Sequence, residues 1–325
     1  MLFVLKFAHR ICRWLTEMRQ PVFAAVCGMI CTGNDSKHDI TRPPFNAQRH
    51  GGIAVLTAFS NGLPNEKYTV IIGKGYFMDS HRIYGNKVTI DTEVVKDFYN
   101  RQMEKADNPL GAVFLGSQDQ AVLNEKNTYT RNTIIPKLGI KQDTRVLDLG
   151  CGIGRLAQEI LPDCGFYCGV DFSERMVECA RDLCTHIAPT ERFKIHCLSM
   201  TEAVSAGNAV LGGPFGVVLL SGVLMYLNDS EVQKAVCMLS ELLEKRCTIY
   251  WGDPVGLQKR LTLKDFPSES FQTDYSAIYR TVSEYLELFQ PLFKAGFTIT
   301  EQAYMPKFGE TYTDTGRYYM LLHRE

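Results

Sequence analysis

The chain's 325 residues suffice for one large domain, or for a domain with an appendage. With a formal net charge of −1, nothing in the composition points to a general nucleic-acid binder. The charge is uneven all the same: residues 1–87 hold 11 Lys/Arg against 5 Asp/Glu, and the rest hold 24 against 31.

Residues 1–19 interleave apolar positions with Lys6, Arg10, Arg13 and Arg19, the pattern of a basic amphipathic helix. A targeting presequence, a membrane-surface helix and ordinary packing are all compatible with it. The apolar run Pro21–Cys31 is about half as long as the ~20 residues a bilayer-spanning helix needs, so no transmembrane segment is expected. Residues 34–66 are rich in Asn, Asp, Pro and Gly and read as loop. Tyr68–Ile72 makes one candidate strand, stopped by Gly73-Lys74-Gly75. No catalytic pattern precedes residue 88. Residues 1–87 are therefore taken as an N-terminal extension, with the main domain expected over 88–325.

A first helix is predicted from Asp91 to Lys105, with apolar spacing at Val94, Val95, Phe98 and Met103. A second, Asn127 to Leu138, leads into the sheet, so that 88–140 forms a helical lid and 141–325 the core. Strands then alternate with helices: strand 145–149 and helix 154–161, strand 166–171 and a helix capped by Ser173, strands 192–197 and 216–221, a helix from Asp229 to about Lys245, and strand Cys247–Trp251. An irregular insertion is expected at 253–280, then a helix at 281–294 stopped by Gly296. Phe297–Ala303 and Gly316–His323 close the chain as a β-hairpin. The alternation predicts an α/β fold with a parallel sheet.

The chemistry concentrates where the first of these strands ends. Asp148-Leu149-Gly150-Cys151-Gly152-Ile153-Gly154 is a strand end running into a glycine turn, and Asp171 closes the next strand. Glycines let the backbone approach a ligand closely, and an acid about 20 residues on accepts hydrogen bonds from a ribose diol. A plain strand–helix turn and an NAD loop are the alternatives. The downstream acid argues against the first, and the misplaced third glycine against the second.

With Asp148 two residues before the glycines, the pattern resembles motif I of the class I S-adenosylmethionine-dependent methyltransferases. The resemblance runs from about residue 90 to 325 and implies S-adenosylmethionine as cofactor, on a Rossmann-like, doubly wound, seven-stranded and mostly parallel sheet with an antiparallel C-terminal hairpin strand. On it, Asp148, Gly150, Gly152 and Gly154 form the loop under the methionine moiety, and Asp171 with Phe172 receives the ribose. Ser199 stands where the family often has an acid for the adenine amino group, and Met200 is placed to pack on the adenine. Ser221, with Gly222 beside it, faces the sulfonium, Tyr99 on the lid helix covers the methionine end, and Arg131 partners its carboxylate. For Tyr99 and Arg131 a solvated helix face is an even alternative, as core packing is for Met225 and Tyr226.

Methyl transfer from a sulfonium needs alignment and removal of the acceptor's proton. Asp253, at the exit of strand Cys247–Trp251, is the first candidate for a base, its alternative being a turn aspartate. Tyr226 and Tyr279 are further candidates at the reacting centre. Tyr275, Arg280 and Tyr304 suit a polar acceptor, with Lys307, Tyr312 and Arg317 on its outer wall. The chain lacks an Asn/Asp-Pro-Pro-Tyr motif or a Pro-Cys nucleophile after strand 216–221, and its catalytic part is acidic, which disfavours nucleic acid. The pattern looks like bacterial-type enzymes that methylate O or N of sugars or specialised metabolites, acting as a monomer or homodimer. Two other readings stand beside it: a protein methyltransferase docking through the basic extension, and a non-catalytic cofactor-binding subunit.

Eleven cysteines are scattered without CxxC pairs or histidines at ligand spacing. Cys27/Cys31, Cys164/Cys168 and Cys179/Cys184 each read as half a zinc site, but reduced thiols in a cytoplasmic protein are preferred and no metal is expected.

Overall fold

The computed structural model describes residues 45–50, 53–59, 67–72, 81–105, 120–268, 273–309 and 312–325. The amphipathic pattern at 1–19 and the Cys27/Cys31 pair lie outside them. By compactness the chain divides into two units, Met1–Asp79 and Ser80–Glu325.

In the first unit, β1 (Phe45–His50), β2 (Ile53–Phe59) and β3 (Lys67–Ile72) make a three-stranded antiparallel sheet in sequential order. Two of these strands fall within the stretch expected to be loop. The run Ile53-Ala54-Val55-Leu56 has strand composition, and the Asn, Pro and Gly residues around it masked that signal.

The second unit contains β4 (Arg82–Tyr84), α1 (Thr92–Lys105) and α2 (Gln120–Tyr129), the last continued by a wider turn at Thr130–Ile134 and a tighter one at Ile135–Leu138. Next come β5 (Arg145–Leu149), α3 (Arg155–Ile160), β6 (Phe166–Asp171), α4 (Glu174–Ile187), β7 (Phe193–Cys197), α5 (Met200–Leu211), β8 (Phe215–Ser221), α6 (Asp229–Leu239) and β9 (Leu243–Gly256). After β10 (Leu261–Ser268) and β11 (Thr273–Tyr279), α7 (Val282–Leu288) and α8 (Gln290–Lys294) lead to the hairpin β12 (Thr298–Tyr304) and β13 (Thr315–Arg324).

A seven-stranded sheet runs β12-β13-β9-β8-β5-β6-β7. Strands β7, β6, β5, β8 and β9 are parallel, and β13 returns antiparallel between β9 and β12. The strand order reverses between β5 and β8, and it is beyond the carboxyl ends at such a reversal that ligands bind. Apolar residues cover both faces. One layer packs Trp251, Tyr285, Phe289 and Val236, the other Tyr167, Leu156, Tyr250 and Tyr319. The free cysteines Cys164, Cys168 and Cys184 are buried within these layers.

Strand β9 reaches Gly256, five residues beyond the expected end, because β13 pairs with it as far as Gly256. The insertion is not irregular. β10 and β11 form an antiparallel pair to which β4 adds at the other edge, giving a second sheet ordered β11-β10-β4. The alternation Leu261, Leu263 and Tyr275, Ala277 turns these residues to one apolar side, where they meet Val95, Phe98 and Tyr99 of α1. Sheet and helix together roof the carboxyl edge of the large sheet. β4 also brings residues before 88 into this unit.

Candidate active site

The glycine turn after β5 depends on backbone that side chains avoid. Gly150 and Gly154 both have φ near +82°, and a Cβ on Gly150 would lie 2.7 Å from the Val223 side chain. The turn is pinned to β6: the N–H groups of Gly150 and Cys151 donate to the Val170 carbonyl, and Gly152 N–H donates to Asp171 Oδ2 at 2.9 Å. The other Asp171 oxygen accepts from Ser173 N–H at 3.0 Å, and the Ser173 hydroxyl caps α4. Burial pushes the Asp171 carboxyl up to about 6, against the pull of the Ser173 and Gly152 N–H groups. Asp148 is also driven up to about 6 by burial, although Tyr167 donates to it at 2.7 Å and Arg155 lies near.

Above these groups lies a cavity of about 900 Å³. Asp148, Gly150, Gly152, Asp171, Phe172, Ser199, Met200, Ser221, Gly222 and Tyr99 all line it, so most of the sequence-derived cofactor set faces one space; Gly154 and Arg131 do not. Gly154 instead packs against Ala180 of α4, seating α3 beside it. Ser199 caps α5 in a reciprocal pair with Glu202, whose carboxylate also lines the cavity.

Four tyrosines continue the wall away from the glycine turn. Tyr99 donates to Tyr226, whose hydroxyl lies 3.1 Å from that of Tyr275, and Tyr279 donates to Tyr275 at 3.4 Å. Burial raises all four hydroxyl pKa values, that of Tyr279 to about 12, so each keeps its proton at neutral pH. Tyr304, half exposed, lines the outer end together with Lys307, Tyr312 and Arg317.

Besides Gly154, three expected site residues lie elsewhere. Asp253 is 1% exposed and points into the helix-covered layer, where it accepts from Trp251 Nε1 at 2.8 Å and from the Tyr285 hydroxyl at 3.2 Å. Strand alternation explains this: β9 runs through residue 253, so Asp253 shares the face of Trp251 while Pro254 reaches the cavity. Arg280 is fully buried and donates to the carbonyls of Leu224 and Leu227 and to Asp229 Oδ1. It thus holds the segment that carries Tyr226 rather than an acceptor. Burial would raise the Asp229 carboxyl, but Arg260 and Arg280 outweigh it and hold it at about 2. Arg131 projects into solvent and forms a two-pronged pair with Glu159.

The basic group that does line the cavity beside the glycine turn is Arg155, the first residue of α3. It donates to Asn127 at 3.3 Å; burial lowers its pKa, and nearby Tyr250 and Asp148 support its charge. Its place directly after the third glycine was a signal the sequence offered.

Helix α1 is fastened to the start of α4. Lys96 of α1 pairs with Glu174 at 2.6 Å, and Asn100 accepts from the Ser173 hydroxyl at 2.7 Å.

Residues 146–246, spanning β5 to the start of β9, match the family model described as a methyltransferase domain. By this match the stretch is a methyltransferase domain. An uncharacterized methyltransferase of Schizosaccharomyces pombe is 26% identical to it over 138 residues, 42% of this chain. The match spans less than half, 46%, of that relative. Among solved structures, phosphoethanolamine N-methyltransferase 1 of Haemonchus contortus aligns with a TM-score of 0.54 at 17% identity, covering 72% of this chain and 50% of that one. Magnesium protoporphyrin IX methyltransferase of Synechocystis PCC 6803 aligns at 0.50 and 16%, covering 74% and 100%. At these identities the likeness is one of fold. The methyltransferase domain thus shares its fold with enzymes whose acceptors differ widely.

The residues present suit S-adenosylmethionine, with which the Synechocystis enzyme was solved. Asp171 lines the cavity as a buried acceptor whose two oxygens have lone pairs beyond those used by the Gly152 and Ser173 N–H groups, a Cβ at Gly150 would disturb the glycine turn, and Asp148 and Arg155 offer opposite charges to an amino-acid end.

Proposed function

We propose that the protein transfers a methyl group from S-adenosylmethionine to an O or N atom of a small polar molecule. The observation that carries this is the single cavity of about 900 Å³ that joins the glycine turn and Asp171 to the tyrosine-lined wall. Sites for small ligands span about 300–1,000 Å³, so this one has room for a nucleoside and a second small molecule side by side. The roof of α1, β10 and β11 favours a compact acceptor over a folded protein surface.

When bound, S-adenosylmethionine supplies a methyl group already activated on a sulfonium. The chain's part is then to hold, align and dry the site. Asp171 accepts from the ribose hydroxyls while tying down Gly152, so binding sugar and shaping the loop are one task. Arg155 and Asp148 fix the amino-acid end. Phe98, Tyr99, Met225 and Leu263 pack over the reacting region and exclude water. Tyr226 and Tyr279 present protonated hydroxyls to the acceptor. Among the described residues that line the acceptor end there is no carboxylate or histidine. An acceptor whose attacking atom arrives with its lone pair free, as in an oxyanion or a neutral amine, suits such a wall, and the tyrosine hydroxyls orient it.

The test is turnover. The purified protein is incubated with S-adenosylmethionine and either a small-molecule extract or a protein extract, and S-adenosylhomocysteine is quantified. Release with the small-molecule fraction supports the proposal. Release with the protein fraction alone favours a protein acceptor, and release with neither favours a binding subunit.

A further inference from the structure

The two ends of the cavity differ in charge. Toward α5 and α6 its wall includes Glu93, Glu174, Glu202 and Glu231, and the cation there, Lys96, is paired with Glu174 at 2.6 Å. Toward the hairpin the charged groups are Arg82, Lys307 and Arg317. Arg82 is balanced from behind by Asp314 at 2.6 Å. Lys307 is exposed at the mouth. Arg317 is half-buried on β13 opposite Pro254, and among the described residues its guanidinium has neither ion pair nor hydrogen bond.

A guanidinium that lines a cavity with none of its donors engaged is free to take the oxygens of a ligand. Arg317 also lies near a second cation, since its charge depresses the pKa of Arg155. Two guanidinium groups thus face a space in which the cofactor brings one carboxylate. Arg155, beside Asp148 and the glycine turn, is placed for that carboxylate. Arg317, whose charge also acts on Tyr279, is placed at the acceptor wall. Between them the wall is apolar and aromatic, with Leu257, Leu263, Phe266 and Tyr275.

We propose that the acceptor is an anion: a small molecule with an apolar or aromatic body and a carboxylate or phosphate group held by Arg317. This rests on the methyltransferase reading for the identity of the other ligand. A guanidinium suits either anion, because its forked donors match two oxygens at once. Lys307 adds a long-range attraction at the entrance.

Calorimetry with four matched probes tests it, run with and without saturating S-adenosylhomocysteine: benzoate, phenyl phosphate, benzamide and benzylamine. Benzoate or phenyl phosphate is expected to bind at least tenfold more tightly than benzamide or benzylamine, and the tighter of the two identifies the anion. Arg317→Gln is expected to weaken the anion about tenfold or more and leave S-adenosylhomocysteine within threefold, with Arg317→Lys restoring part of the loss. Equal binding of benzamide, or no anion binding by the wild type at 10 mM, overturns the proposal. So does an Arg317→Gln defect confined to S-adenosylhomocysteine, which would place Arg317 on the cofactor. Failure of S-adenosylhomocysteine to bind the wild type sinks the cofactor reading instead, and the probes without it still decide the anion site.

Discussion

Asp171 and Gly152 are joined across the floor of the cavity: the glycine N–H donates to the carboxylate at 2.9 Å, so one side chain both shapes the loop and faces the ligand. Asp171→Ala is therefore expected to lose S-adenosylhomocysteine binding and some stability together, whereas Asp171→Asn keeps one acceptor oxygen for Gly152 while its amide NH2 opposes the Ser173 N–H. Asparagine should weaken binding about tenfold or more, with a melting temperature between those of the wild type and the alanine variant. Unchanged affinity in the asparagine variant would remove the ribose contact.

The same carboxylate sets a pH dependence. Burial raises Asp171 and Asp148 to about 6 each, so both are ionised acceptors above that pH and lose that form below it. S-adenosylhomocysteine affinity should be flat from pH 7 to 8 and fall as pH drops through about 6. Asp171→Asn should reduce the fall to the part that Asp148 contributes. Affinity independent of pH between 5 and 8 would contradict the assigned contacts.

Gly150→Ala tests the turn itself. The position has φ +82° and a prospective Cβ 2.7 Å from Val223. Left-handed backbone and overpacking together should cost about 2–5 kcal/mol, read from denaturant unfolding, and binding should fall with stability. A variant as stable as the wild type would show that the turn tolerates a side chain.

Much of this was legible in the sequence because it is backbone geometry. Glycines at 150, 152 and 154 and acids at 148 and 171 follow strand ends, and strand ends are set by apolar runs a window of residues can show. What failed was orientation. Asp253 was read as leaving a finished strand, but β13 pairing prolongs β9 to Gly256, and alternation from Trp251 then turns Asp253 inward. Arg280 stands beside cavity tyrosines in sequence, yet its partners Leu224, Leu227 and Asp229 come from more than 50 residues away. Arg131 is claimed by Glu159, 28 residues downstream. Such long-range pairings leave no local trace.

Asp253 accordingly carries a different expectation from that of a base. Burial raises its carboxyl to about 7, so the folded state holds the proton more tightly than the unfolded chain does. Stability from this group is then lost as pH rises from about 4 to 7 and is constant above. Asp253→Asn should remove that loss, gaining in melting temperature relative to the wild type as pH rises through this window, with turnover within about twofold. A general base would instead cost about 100-fold or more in turnover.

Tyr226 is the hydroxyl shared by Tyr99 and Tyr275. Tyr226→Phe should cost about 0.5–1.5 kcal/mol of stability and lower turnover about tenfold, leaving S-adenosylhomocysteine affinity within threefold. Turnover equal to the wild type would leave the hydroxyl a packing role only.

All of these expectations presuppose a nucleoside sulfonium site at the carboxyl edge of the large sheet, and calorimetric titration of the folded wild-type chain with S-adenosylhomocysteine probes it directly. One saturable site per chain, lost in Asp171→Ala, is the expected result. A folded protein that gives no binding heat at several temperatures would contradict the account at its base.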